Sequence, residues 1–356
     1  MKNHTLYLLL FFISFNTIAQ TAAIKSKLTD VNNNPVAFAS IYIPESKKTT
    51  LSNESGDFYM VINPETDKTI IISHLSYQPI EVKITNSFPK NIVLEEGSLQ
   101  LNEVVIGKQL TGYDIALKIV ENLKENHDVD PAYYEYFTRV VQYDDDWKEI
   151  DMIQEYYGKL KHTGNHDNKA LIYKSRVVPY TKKGEEILQT DSSIDLWGIR
   201  SNNLLLYKPD YLKRAKLKNY NISTEGSITI NGHECYILKY ASDKISYSEY
   251  KKAILYIDKE TFGIVKQISG SHSTQAVTYT ERNFVKINGK WVMSAATNKH
   301  HLHKIITTLY TYLTDKKDYE DINFIRTPFH KKLKRFNKNP NDTFWDNYQH
   351  IPLPEN

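Results

Sequence analysis

The sequence predicts a mainly β protein, with an N-terminal seven-stranded β-sandwich followed by a domain of one helix and a curved antiparallel sheet. Three observations predict it. Short β-branched and aromatic runs alternate with turn residues over the first hundred positions. Consecutive hairpins, two of them built on Asn-Gly turns, fill the second half. Tyrosine is abundant, with 26 copies against 13 Phe and 4 Trp, and it suits the pleated, half-wet surface of a strand. A β-rich core explains most of these tyrosines, and a sugar-binding or other aromatic platform is the functional reading. At 356 residues the chain asks for two domains or more.

The composition sets limits on partners. Hydrophobic residues at 40% and charged residues at 24% are ordinary for a globular protein. A formal net charge of +3, from 45 basic and 42 acidic residues spread along the chain, excludes the basic footprint of a nucleic-acid binder.

The first element is an address. Lys2 precedes an almost wholly apolar run over 6–18, and Thr17, Ile18 and Ala19 bring small residues to the positions a signal peptidase reads. Residues 1–20 therefore read as a signal peptide, with Gln20 or Thr21 starting the mature chain. The run is shorter than the ~20 residues that span a bilayer. No Cys follows it, so the protein is expected not to be a lipoprotein. No later stretch is apolar enough to span, so the mature chain is expected to lack a transmembrane segment. Cys235 is the only cysteine, which rules out an intrachain disulfide. An exported chain of this kind must rely on its core, which is feasible at this size.

Strand runs then follow one another over 24–29, 36–43, 49–52, 58–62, 69–73, 80–84 and 92–94. Turn clusters separate them at 30–35, at 53–57 and at Asn63-Pro64. Such close spacing argues a small sandwich. Gly56 falls where a hairpin needs positive φ, which glycine adopts without steric cost. Phe58, Met60 and Ile62 share one face and oppose Tyr59 and Val61. Both faces are apolar, the pattern of a central strand.

Several of these segments together resemble the carboxypeptidase-regulatory-like domain. They are Lys27-Leu28-Thr29-Asp30, Pro35 with Ala39-Ser40-Ile41, the stretch from Thr50 through Asn53-Glu54-Ser55-Gly56-Asp57 to Phe58, and Ser73-His74-Leu75-Ser76-Tyr77. Leu101-Asn102-Glu103-Val104-Val105 is similar to the segment that follows this domain at the N-terminus of many TonB-dependent outer-membrane receptors. The resemblance covers 22–107, under a third of the chain. It implies a transthyretin-like sandwich of seven strands and an envelope setting, and it implies no catalysis. Ser76 departs from the family, which often has Gly before the Tyr.

The next domain is expected over 112–328. Its helix, 113–126, carries Ile115, Leu117, Ile119, Val120 and Leu123 largely on one stripe and should pack across the following sheet, a partner-binding helix being the other reading. Strands are expected at 133–143, 150–161 and 171–178, with helical turns around 197–207. Hairpins follow at 227–240 on Asn231-Gly232, at 252–269, and at 284–295 on Asn288-Gly289. A last strand covers 305–312, and the whole reads as one antiparallel meander. A helix followed by consecutive antiparallel hairpins implies a curved sheet with the helix in its concavity, and the run from Leu255 to Val265 resembles a hairpin common in periplasmic lipoprotein-carrier half-barrels. The tail, 329–356, is basic, then aromatic, with Phe344, Trp345 and Tyr348 expected to dock back on the sheet.

Motifs for catalysis are scarce. Zinc peptidases need N and O ligands converging at about 2 Å, commonly from His-x-x-Glu and a distant His. None of the twelve His is followed by Glu at the third position, and no His-Glu-x-x-His occurs. In Lys299-His300-His301-Leu302-His303, His301 and His303 would share a strand face, yet no carboxylate stands near them in sequence, so a solvated strand end is the plainer reading. Asp144-Asp145-Asp146 lacks the spaced ligands and Gly of a calcium loop and reads as a hairpin turn. Cys235 lies within a strand as a small hydrophobe. Ser-x-x-Lys occurs at Ser87 to Lys90 and Ser248 to Lys251 without the companion motifs of penicillin-binding enzymes. A phosphate-cradling Gly loop is absent.

The expectation is a non-catalytic envelope binding or assembly protein of the periplasm or outer membrane, with no cofactor and no metal. Its ligand is a lipid or peptide, or its partner is an outer-membrane receptor of the TonB-dependent kind. Tyr236, Leu238 and Tyr240 share one strand face and are the candidate ligand-facing residues, core packing against the helix being their competing role. The alternative is an exported hydrolase of unfamiliar type.

Overall fold

A computed structural model of the chain describes residues 22–96 (except 38, 47, 54, 75 and 76), 110–127, 132–162, 169–190, 208–242, 252–272, 277–301, 304–313, 344–347 and 353. The expected signal peptide, Ser76, the segment 101–105, the helical turns around 197–207, His303, Tyr348 and the basic part of the tail lie outside them. The chain divides into two compact units, one running to Glu96 and the other beginning at Gly97.

The first unit is two sheets around one core. β1 (Ala22–Asp30) is flanked by β4 (Asp57–Ile62), antiparallel, and β7 (Asn91–Leu94), parallel. The second sheet has the order β3 (Lys48–Leu51), β2 (Ser40–Ile43), β5 (Thr69–His74), β6 (Tyr77–Lys83). Ile24 and Leu28 of β1, Phe58 and Met60 of β4, Ile41 of β2 and Ile70 and Ile72 of β5 bury their side chains between the layers. The period-2 alternation of each strand puts them there.

Two details differ from the sequence reading. β4 is an edge strand, not a central one. Its outward Val61 is exposed and its Tyr59 lies under the ammonium of Lys25, 5.4 Å from the ring centroid. The run 36–43 enters its sheet only at Ser40. Before that, Ala39 N–H donates to Ser52 Oγ (2.9 Å), and Ser52 Oγ–H donates to the Val36 carbonyl (2.7 Å). Side-chain bonds thus replace the ladder there and satisfy buried backbone groups. Gly56 has φ +80°, and a Cβ on it would stand 2.3 Å from the Leu28 carbonyl oxygen. Its turn passes the chain from one layer to the other, since β3 and β4 belong to different sheets.

The second unit is one curved antiparallel sheet of ten strands. It contains β8 (Ala132–Tyr143), β9 (Ile150–His162), β10 (Lys169–Pro179), β11 (Asn221–Ile230), β12 (His233–Ala241), β13 (Lys252–Asp258), β14 (Ile264–His272), β15 (Val277–Ile287), β16 (Lys290–His300) and β17 (Ile305–Leu313). Asn231-Gly232 and Asn288-Gly289 have positive φ at both positions, 51° and 79°, then 50° and 82°. That is the turn whose twist suits a two-residue hairpin.

The spatial order is β10-β9-β8-β17-β16-β15-β14-β13-β12-β11. This is two meanders joined through β8 and β17, not one. Hairpin turns reveal sequential neighbours, whereas the β8–β17 pairing is long-range and carries no local signal.

Helix α1 (Gly112–Asn126) begins in a capping box, with Asp114 N–H donating to Thr111 Oγ (3.1 Å) and Thr111 N–H donating to the Asp114 carboxylate (2.9 Å). Ile115, Ala116, Ile119 and Leu123 form its buried stripe, with Leu117 and Val120 partly buried beside it. A second helix, α2 (Lys182–Thr190), was not evident from periodicity. Its start is tied by Gly184 N–H donating to Thr181 Oγ (3.1 Å). Helix α3 (Phe344–Asn347) brings the tail back onto β8–β10, as its aromatic residues suggest. The Trp345 ring lies 4.7 Å from the Arg176 guanidinium and edge-on to Phe137, while Phe344 meets Tyr157.

Candidate functional site

The candidate residues sit on β12, whose side chains alternate between the two faces of the sheet. Tyr236, Leu238 and Tyr240 share the face that bears α1 and two 3-10 turns, Asp210–Leu212 and Arg214–Asn219. Leu238 and Tyr240 are fully buried there, beside Ile115 and Ile119 of α1 and Leu217 of the second turn. Tyr236 is partly buried. Its ring stacks on Phe262 at 6.4 Å, and Phe262 in turn lies under Lys118 of α1. All three therefore belong to the helix–sheet core, the competing role that their pattern also allowed.

Following the ladder outward from them reveals a gradient. Leu238 is paired with Leu255, then across the sheet come Gln267, Arg282 and Ala296. The neighbouring row starts at Tyr240 and continues through Ala253, Ser269, Thr280, Asn298 and Thr307. These rows are apolar over β12 and β13 and mostly polar from β14 to β17, with Ala296 as an exception. Gln267, Ser269, Thr280, Arg282 and Thr307 are nonetheless buried. Buried polar groups cost free energy unless they are hydrogen-bonded, and part of this belt bonds within itself, with Asn298 Nδ2 donating to Thr280 Oγ1 at 3.1 Å.

At the boundary between the two zones stands a tyrosine cluster. The rings of Tyr211, Tyr220 and Tyr240 lie 5.5 to 6.3 Å from one another. Gln267 Nε2 donates to the Tyr211 hydroxyl and, at 3.3 Å, to Ser269 Oγ. Ser242 Oγ–H donates to the Asn219 carbonyl (2.6 Å), which ties the end of the second turn to the sheet. The hydroxyls of Tyr220 and Tyr240 and the Gln267 Oε1 have no hydrogen-bond partner among the described residues. Burial raises the pKa of both phenols, so both are neutral. Sequence reading found Tyr240 by alternation but missed Tyr211, Tyr220 and Gln267, because two lie outside regular strands and the third looks like any polar strand residue.

Other candidates fall out differently. His301 is exposed at the turn after β16, with its ring 5.5 Å from that of Trp147, and His303 lies outside the described residues. No cluster of three or more His, Cys, Asp or Glu suited to a metal occurs among the described residues. Asp144 opens the β8–β9 turn, its carboxylate accepting from Lys148 N–H at 2.7 Å and Glu149 N–H at 3.2 Å. Asp145 and Asp146 face Lys183 and Lys148. Cys235 is buried, and desolvation, followed by the charge of Asp258, raises its thiol pKa, the opposite of what a nucleophile needs. A His–Asp pair that sequence reading missed joins His233 Nδ1 to Asp258 at 3.1 Å. The same carboxylate accepts from Thr261 N–H (2.8 Å) and Oγ–H (2.6 Å), so it fastens the β13–β14 turn.

Residues 24–106 match the model of the carboxypeptidase-regulatory-like domain. No curated protein matches the chain. Among solved structures, a LolA superfamily protein from Nitrosomonas europaea matches 60% of this chain and 99% of its own, at 16% identity and a TM-score of 0.29. A DUF1329 family protein from Desulfovibrio piger matches 56% of this chain and 90% of its own, at 13% identity and a TM-score of 0.29. Lipoprotein LppX of Mycobacterium tuberculosis matches 59% of this chain and 98% of its own, at 8% identity and a TM-score of 0.20.

Proposed function

We propose that the chain is a non-catalytic, exported protein of the cell envelope whose second unit holds an amphiphilic ligand, an acyl chain or a short peptide, on the helix-covered face of its sheet. The observation that carries this reading is the gradient on that face. An apolar zone under α1, containing Leu238, Leu255 and Tyr240, adjoins a buried polar belt at Gln267, Ser269 and Thr280. A ligand with one apolar end and one hydrogen-bonding end matches both zones, and ligand sites are commonly apolar with a few placed polar groups. The exported location rests on the charged and apolar pattern of residues 1–20, and no described helix is long and apolar enough to cross a membrane.

Partnership with an outer-membrane receptor is the second reading, supported by the regulatory-like domain at 24–106. The hydrolase alternative finds little support: the Cys235 thiol is held protonated, and the His233–Asp258 pair is engaged in a turn.

The test is to express the full chain in a bacterial host, purify it from the envelope fraction and analyse its N-terminus and organic extract by mass spectrometry. A mature chain starting at Gln20 or Thr21, with an amphiphile bound near one per protein, is the expected result. Cytosolic protein with Met1 intact would refute the location. Envelope protein that carries no amphiphile and binds no fluorescent fatty-acyl probe would refute the ligand.

A further inference from the structure

The tyrosine cluster at the apolar–polar boundary has unused hydrogen-bonding capacity of a definite kind. Tyr220 and Tyr240 are buried, and among the described residues each carries an O–H donor without a partner, while Gln267, also buried, carries an acceptor without one, Oε1. Gln267 spends its Nε2 on the Tyr211 hydroxyl and on Ser269 Oγ, which leaves Oε1 as its open atom among the described residues. Leaving such groups unsatisfied costs about 1–3 kcal/mol each, so a polar partner bonded at this cluster would stabilise the protein.

We infer that this cluster receives the polar end of the amphiphile, and that this end is an uncharged group that both accepts and donates, such as a carboxamide. The inference rests on the ligand reading above and names the chemistry of the recognised group. Two phenol donors call for an acceptor with two lone pairs, which a carbonyl oxygen supplies. Gln267 Oε1 calls for a donor, which the amide N–H supplies. An ionised carboxylate accepts from the phenols but has no proton for Gln267. Arg282, the ladder neighbour of Gln267, makes interactions of its own.

The test uses the full mature chain and two probes of equal chain length, oleamide and oleate, titrated at pH 8.5, where the carboxylate is ionised. Oleamide should bind tighter than oleate. Tyr220→Phe and Tyr240→Phe should each weaken oleamide by roughly two- to twelvefold, the worth of one hydrogen bond, and should weaken oleate as well, because its carboxylate also accepts from the phenols. Each Phe variant keeps the ring, so its melting temperature should stay at or above the parent value, which separates a binding effect from a folding one. Equal affinity for the two probes, a preference for oleate, or Phe variants that bind oleamide like the parent would overturn the inference and leave the amphiphile reading standing. Binding of neither probe would overturn both.

Discussion

His127 shows how one side chain ties distant segments together. It caps the C-terminal end of α1, and its Nε2 accepts from Ile264 N–H at 3.1 Å across 137 positions of sequence. Its other nitrogen donates to the Trp291 carbonyl, and its ring meets Phe284 edge-on at 5.2 Å. Burial lowers its pKa from 6.5 to about 3, so the folded state holds it neutral. The unfolded chain takes up this proton near pH 6.5, whereas the folded protein does so only near pH 3. The stability contributed is therefore complete above pH 6.5 and is lost as pH falls through that window, by up to ~1.4 kcal/mol per unit. In urea unfolding between pH 7 and pH 4, a His127→Gln variant should show a shallower loss than the parent by about one proton. Parallel curves would show that His127 does not carry this linkage.

At the scale of elements, α1 depends on its first turn more than on composition. The Thr111–Asp114 capping box satisfies backbone donors that the helix leaves open. Gly112 is required because a Cβ there would meet the Ile222 carbonyl oxygen at 2.6 Å. Thr111→Ala should lower stability by about 1 kcal/mol, read as a shifted denaturation midpoint with an unchanged slope, and an unmoved midpoint would refute the cap's role. Helix α3 is held by different physics. Its Trp345 covers Arg176, which shares the buried Glu155 carboxylate with Arg139. Two guanidiniums on one carboxylate, under an indole face, let charges sit inside a sheet.

At the scale of the molecule, each unit has its own core. The sandwich strands close on one another within 22–96, and their buried residues form one cluster. A fragment of residues 22–109 should therefore fold alone, giving a β-type circular dichroism spectrum and one cooperative urea transition. A helical spectrum, or loss of signal without a transition, would move the boundary.

The sequence by itself determined the strands, the hairpins and α1, because each is written in short-range chemistry. Alternation set the buried faces, Asn-Gly set two turns through its tolerance of positive φ, and the stripe from Ile115 to Leu123 set the helix. It also located the face of Tyr236, Leu238 and Tyr240, since period-2 geometry needs only neighbours. Tertiary structure decided what lies far apart in sequence. Placing β4 at an edge, pairing β8 with β17 and seating Trp345 on Arg176 all depend on which segments meet. The cluster of Tyr211, Tyr220, Tyr240 and Gln267 is drawn from two irregular turns and two strands, and no spacing rule connects them. Burial, which turns an ordinary phenol or amide into an unsatisfied hydrogen-bonding group, is a property of the packed fold and has no counterpart in the residue alone.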